Sequence, residues 1–148
     1  MKRILSLVAP FALVAPLHAE DAEGVKELAN NYMKLFNRGE VETLMKTSLC
    51  RTGVSQEMLD LTRSAMGRGG KIESFTIDAP TDRDRILFTE GQEVTGYGRL
   101  FVNIEPEQVI VFKMAAKDGA PAATQRSLVG RENGKWLLAM LVSEKKKD

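Results

Sequence analysis

Between Met66 and Ile72 the apolar periodicity of this chain changes from that of helices to that of strands, and the change decides its fold class, α+β. Upstream, Val25, Leu28, Tyr32, Leu35 and Phe36 draw one stripe along a helix predicted over Asp21–Asn37. Arg38-Gly39 interrupts it, and Glu40 opens a short helix whose inward residues are Val41, Leu44 and Met45; the period is lost over Ser48–Gly53. Ser55 suits the N-cap of a third helix carrying Met58, Leu59, Thr62, Ala65 and Met66. Gly67, Gly69 and Gly70 end that helix rather than joining a strand to a helix, so they read as a turn and not as a phosphate-cradling loop.

Downstream the period is two. Strands are predicted over Ile72–Ile77, Arg85–Thr89, Glu93–Ile104, Val109–Lys117, Ala123–Arg131 and Lys135–Ser143, with turns at Asp78–Asp84, Glu105-Pro106-Glu107, Asp118-Gly119 and Asn133-Gly134. Asn-Gly between two alternating runs is a strong hairpin signal, and successive short turns favour antiparallel pairing. In Glu93–Ile104, Val94, Gly96, Gly98, Leu100, Val102 and Ile104 share one face, and the two glycines mark a bend or a close approach. The economical architecture is a helical layer on one face of a curved antiparallel sheet, since neither can bury its apolar side alone.

The N-terminus limits the chemistry. Lys2 and Arg3, the apolar run Ile4–Leu17 and the small residue Ala19 have the form of an export leader, Met1–Ala19, followed by one domain over Glu20–Asp148. The run is short for a membrane span and is broken by Pro10 and Pro16, so no stable membrane insertion is expected. Without the leader's two cations the remaining 129 residues carry 19 basic and 20 acidic side chains, a net charge of −1, which gives no attraction for nucleic acid. Lys145–Lys147 read as a solvated end. His18, the single histidine, leaves with the leader, removing histidine-based triads and zinc sites, and no metal or cofactor is expected. Cys50 is alone, so no intrachain disulfide can form; a buried structural thiol is the expectation, with an intermolecular disulfide or a reactive thiol as alternatives.

The segment Ala29–Leu44, Ala-Asn-Asn-Tyr-Met-Lys-Leu-Phe-Asn-Arg-Gly-Glu-Val-Glu-Thr-Leu, resembles the first helix, glycine-acidic break and second helix of the NTF2-like superfamily. Asn133-Gly134-Lys135-Trp136-Leu137-Leu138 resembles its terminal hairpin. This resemblance to the α+β cone of the SnoaL-like and ketosteroid-isomerase-like proteins implies three N-terminal helices packed on one curved sheet. In the isomerase branch it also implies a tyrosine at Tyr32 that steadies an enolate oxygen, with a carboxylate base after the second helix. The matching segment, Lys46–Thr52, contains no Asp or Glu, and the family's dehydratases often use a histidine that is lacking here.

Asp60, Asp78 or Glu93 can supply a base only if buried with a raised pKa. Tyr32 reads either as an oxyanion donor or as a core tyrosine with its hydroxyl at the rim. Tyr97, Arg99 and Arg126 are candidates to converge across strands on an anionic ligand, or else decorate an exterior sheet face. Trp136 shares a strand face with Leu138, Met140 and Val142, which fits core or dimer-interface packing. The expected function is an exported domain, without evident catalytic machinery, that binds a small hydrophobic or anionic ligand or pairs with a protein. A homodimer through the sheet is expected, its face enlarged by Ile110, Phe112, Leu137 and Leu141. The alternatives are a cofactor-free isomerase, dehydratase or hydrolase, and a partner in an envelope process.

Overall fold

The computed structural model describes residues 19–66, 68–119 and 121–143. Apart from Ala19, the expected leader lies outside the described residues, as does Lys145–Lys147. In chain order the elements are α1 (Ala19–Asn37), α2 (Val41–Ser48), α3 (Gln56–Met66), β1 (Ile72–Asp78), α4 (Asp82–Thr89), β2 (Gln92–Val94), β3 (Gly98–Val102), β4 (Gln108–Met114), β5 (Ala123–Glu132), β6 (Lys135–Leu138) and β7 (Leu141–Ser143).

The helical stripe behaves as its spacing predicts at Val25, Leu28 and Tyr32, which are buried with Ala29; Leu35 and Phe36 are half-buried. Leu44 and Met45 turn α2 onto the same core. At α3 the Ser55 hydroxyl accepts the Met58 N–H at 3.2 Å, the predicted cap, yet none of the helix's residues is fully buried. Asn37 ties the end of α1 to β1, its amide donating to Ile72 O at 2.9 Å and accepting the Ile72 N–H at 2.8 Å.

All strand pairings are antiparallel, but they form two sheets: four strands in the order β1-β4-β5-β6 and three in the order β2-β3-β7. This corrects the single curved sheet of a cone. Three local events divide it. The stretch expected as a strand over Arg85–Thr89 is helix α4, because Thr81 and Asp84 form a capping box: Asp84 N–H donates to Thr81 Oγ1 at 3.2 Å, and Thr81 N–H to Asp84 Oδ2 at 2.7 Å. The run Glu93–Ile104 folds back as the β2–β3 hairpin, with Gly96 and Gly98 at φ of 90° and 77° and Tyr97 N–H bonded to Val94 O at 3.0 Å. Lys135–Ser143 is two strands, β6 in the large sheet and β7 in the small one. The hairpin at Asn133-Gly134 forms where predicted, with φ of 53° and 80° and Glu132 opposite Lys135.

Nor do helices cover one face alone. On one side of β4, Ile110 and Phe112 pack with α1 and α2; on the other, Val109 packs with Leu128, Val102 of β3 and Leu87 of α4. A third cluster holds Cys50, Ile104 and Leu137. Ile110, Phe112 and Leu137 are therefore core residues and cannot enlarge an exposed dimer face; Leu141 alone of that group is exposed. Trp136 packs against the main core, with the Arg131 guanidinium 4.8 Å above its ring.

Two polar devices join the layers. Asn103 exchanges backbone-like bonds with Met140 and donates its amide to Cys50 O at 2.7 Å and Thr52 O at 3.1 Å, pinning the α2–α3 loop beside β7. Arg126 of β5 grips the Asp84 carboxylate of α4 through both terminal nitrogens, the Nη2–Oδ2 distance being 2.6 Å. That guanidinium, against the opposing effect of burial, holds the Asp84 carboxyl down to about 2.

Two outcomes are expected. Asn103→Ala leaves the bonded carbonyls and the Met140 N–H without this partner and lowers stability by about 2 kcal/mol, read as a shifted urea midpoint. Asp84 has a depressed folded pKa, so its contribution is complete above the unfolded value of about 3.9 and is lost as pH falls toward about 2. Because Arg126 is 43% exposed, the contribution is between about 1 and 2 kcal/mol. In urea titrations at descending pH, the stability gap between the wild type and Asp84→Asn should narrow across that window; a gap constant to pH 2.5, roughly the lower end of the window, refutes the linkage.

Candidate functional site

The helix-facing side of β5 carries Gln125, Ser127 and Val129 in alternation, two of them polar on a face otherwise given to the core. Above them α3 spans a gap that it does not fill. The result is a cavity of about 470 Å³ bounded by Tyr32 and Phe36 of α1, by Met58, Thr62, Ala65 and Met66 of α3, and by Met114, Gln125, Ser127, Leu138 and Met140 from the sheet side. Its wall is mostly apolar, and among the described residues no Asp, Glu, Lys or Arg belongs to it.

The polar groups are ordered by one another. Gln125 Nε2 donates to both Tyr32 Oη and Ser127 Oγ, each at 3.2 Å. With the amide hydrogens so used, the Tyr32 and Ser127 hydroxyl protons remain for another acceptor. Tyr32 is fixed from below by stacking on Phe112, centroid distance 4.8 Å, and beside it on Phe36 at 5.9 Å. Burial raises the Tyr32 phenol above its ordinary range, with the Gln125 bond opposing in part, so it is a neutral donor at pH 7. Four methionines give the wall a deformable, polarisable lining.

Tyr32 is thus a core ring with its hydroxyl at the edge of a cavity. The other candidates lie elsewhere. Asp60 is exposed on α3, bonded by Gln56 at 2.9 Å and Arg63 at 2.7 Å. Asp78 is exposed at the end of β1, and Glu93 is exposed on β2, 3.5 Å from Arg99. None of the three carboxylates faces the cavity. Arg99 belongs to the small sheet, Tyr97 to the turn joining its strands β2 and β3, and Arg126 to the large sheet. Tyr97 is exposed in the β2–β3 turn, Arg99 donates to Glu90 O at 2.9 Å, and Arg126 is engaged by Asp84. The three share no cavity.

Gln125, Ser127 and the methionines were not singled out from the sequence. Their signal was available in part: Gln125 and Ser127 alternate with each other and with Val129, so two polar residues fall on the strand face that Val129 marks as inward. Cys50 is buried and unpaired, as its structural reading expects; burial is the main cause that pushes its thiol pKa up. Among the described residues no His, Cys, Asp and Glu side chains assemble into a metal-ligand group, and no helix is long and apolar enough to cross a membrane.

Two separate sheets, with a helix where one strand was expected, set aside the NTF2-like resemblance read from Ala29–Leu44 and Asn133–Leu138, including its SnoaL-like and ketosteroid-isomerase-like versions. The comparisons with known proteins agree with that correction: no family model matches the chain, and neither a curated protein nor a solved structure is significantly similar to it.

Proposed function

We propose that this protein is an exported, non-catalytic binder of a small, uncharged, largely apolar molecule that carries a hydrogen-bond acceptor. The observation behind this reading is the cavity under α3, apolar over most of its wall and furnished at one point with two free hydroxyl donors. An uncharged guest follows from the lining, because an ion placed there meets no opposite charge and loses its hydration. An apolar body gains from methionine, leucine and phenylalanine contacts, and one carbonyl or ether oxygen satisfies Tyr32 or Ser127. Binding without turnover is favoured because, among the described residues, no carboxylate, imidazole or thiol faces the guest.

Nile red, a neutral apolar dye with a carbonyl acceptor, is the direct probe. It should brighten on saturable binding to the full chain. Ala65→Trp, at an exposed cavity-wall position where added bulk spares the core, should abolish the signal without moving the unfolding midpoint. Tyr32→Phe should weaken it by about fivefold, the worth of one neutral hydrogen bond. Unaltered binding by Ala65→Trp eliminates this cavity as the site.

Export rests on the basic start, apolar centre and small residue over Met1–Ala19. The intact mass of protein recovered from the exported fraction of an expressing cell should correspond to a chain beginning at Glu20. Recovery only from the cytosol with Met1–Ala19 attached refutes export and leaves the cavity reading untouched.

A further inference from the structure

A second recess, an open groove of about 580 Å³, lies where the end of α2, the α2–α3 loop and the β5–β6 hairpin meet. Its charged side chains are Lys46, Arg51, Lys135 and Glu132, with Thr52 and Asn133 between them. Among the described residues the three cations have no carboxylate within ion-pair distance, a condition shared by every other described lysine and by Arg38, Arg68 and Arg83; what sets these three apart is that they line one groove. Glu132 does not neutralise them: its Oε2 accepts the Thr52 hydroxyl at 2.7 Å and the Cys50 thiol at 3.3 Å. The side chains of the lining therefore sum to +2; Glu42, whose carboxyl feels both Lys46 and Arg51, lies outside the lining and is engaged by Arg63.

The backbone beneath these cations is fixed. Cys50 N–H bonds to Leu138 O at 2.8 Å, Asn103 holds the carbonyls of Cys50 and Thr52, and Glu132 and Lys135 are cross-strand partners in a two-residue hairpin. Arg51 and Lys135 consequently project from anchored positions, and like charges gathered around one groove repel until a counter-ion joins them. An arginine fork matches the paired oxygens of a carboxylate or phosphate, and lysines add point charge.

We propose that this groove binds a small oxyanion of charge near −2, a dicarboxylate or a phosphate, with Arg51 as the bidentate contact and Lys46 and Lys135 as flanking charges. The site borders the cavity under α3 only through Leu49, which lines both, and it takes the opposite class of ligand.

The test is a nuclear magnetic resonance titration of the isotope-labelled full chain with succinate, inorganic phosphate and, as a monoanion control, acetate at matched ionic strength. Saturable shifts are expected at the amides of Thr52, Asn133 and Lys135 and at Arg51 Nε–H, with either dianion at least about tenfold tighter than acetate. The tighter of the two identifies the group as dicarboxylate or phosphoryl. Arg51→Gln should weaken that binding by about tenfold while leaving the urea midpoint and Nile red binding unchanged. Shifts that do not saturate, that match those at Lys26 and Lys113, that are equal with acetate, or that keep the wild-type affinity in Arg51→Gln overturn the proposal.

Discussion

Both faces of β4 must be dry, and the rest of the structure answers that requirement. Val109, Ile110 and Phe112 are completely buried, although adjacent residues of a strand point to opposite sides. One covering layer cannot satisfy such a strand. Helices α1 and α2 cover Ile110 and Phe112, and the opposite cover is assembled from smaller pieces, Leu87 of α4 and Val102 of β3. The second cover has little apolar area, since Ile86 and Phe88 of α4 remain exposed. Directional contacts supplement it: the Thr81–Asp84 capping box starts the helix where Asp84 can also meet Arg126.

Alternation along β5 assigns the two sides different work within a few residues. Gln125 and Ser127 face the cavity, while Arg126 between them reaches the Asp84 clamp and Leu128 the second core. A one-residue slip in register would exchange these sets, placing a guanidinium beneath α3 and an amide against the Asp84 carboxylate. Register is thus specified by polar as well as apolar residues. The cavity exists because α3 buries no residue completely, while its Arg63 is drawn to Glu42 of α2 on the outside. Packing closes the core below Tyr32 and stops there.

The helical half was legible because periodicity, cap and breaker agree: the Val25–Phe36 stripe, Ser55 and the glycines after Met66 each point to the observed elements. The Asn133-Gly134 hairpin was equally plain, since left-handed dihedrals are needed there. The sheet arrangement was less so. Arg85–Thr89 contains residues common in strands, and the decisive signal lay just upstream, in Thr81 and Asp84 at capping-box spacing. Val109-Ile110-Val111-Phe112 is a continuous apolar run, the mark of a strand covered on both faces, yet alternation elsewhere suggested only one cover. Of the candidate site, Tyr32 could be found by its place on the helical stripe. Asp60, Asp78 and Glu93 could not be judged, because burial depends on tertiary packing, and Arg126 gave no hint in sequence of a partner 42 residues away.

The buried thiol of Cys50 makes the molecule its own opening gauge. Its Sγ points to Glu132, its N–H is bonded to Leu138 and its carbonyl to Asn103, so reagent access requires the loop, the hairpin and the β7 approach to separate. As the single cysteine of the chain, it gives one labelling event per molecule without background from other thiols. Where reclosing outpaces modification, the rate of alkylation measures the population of the opened form directly.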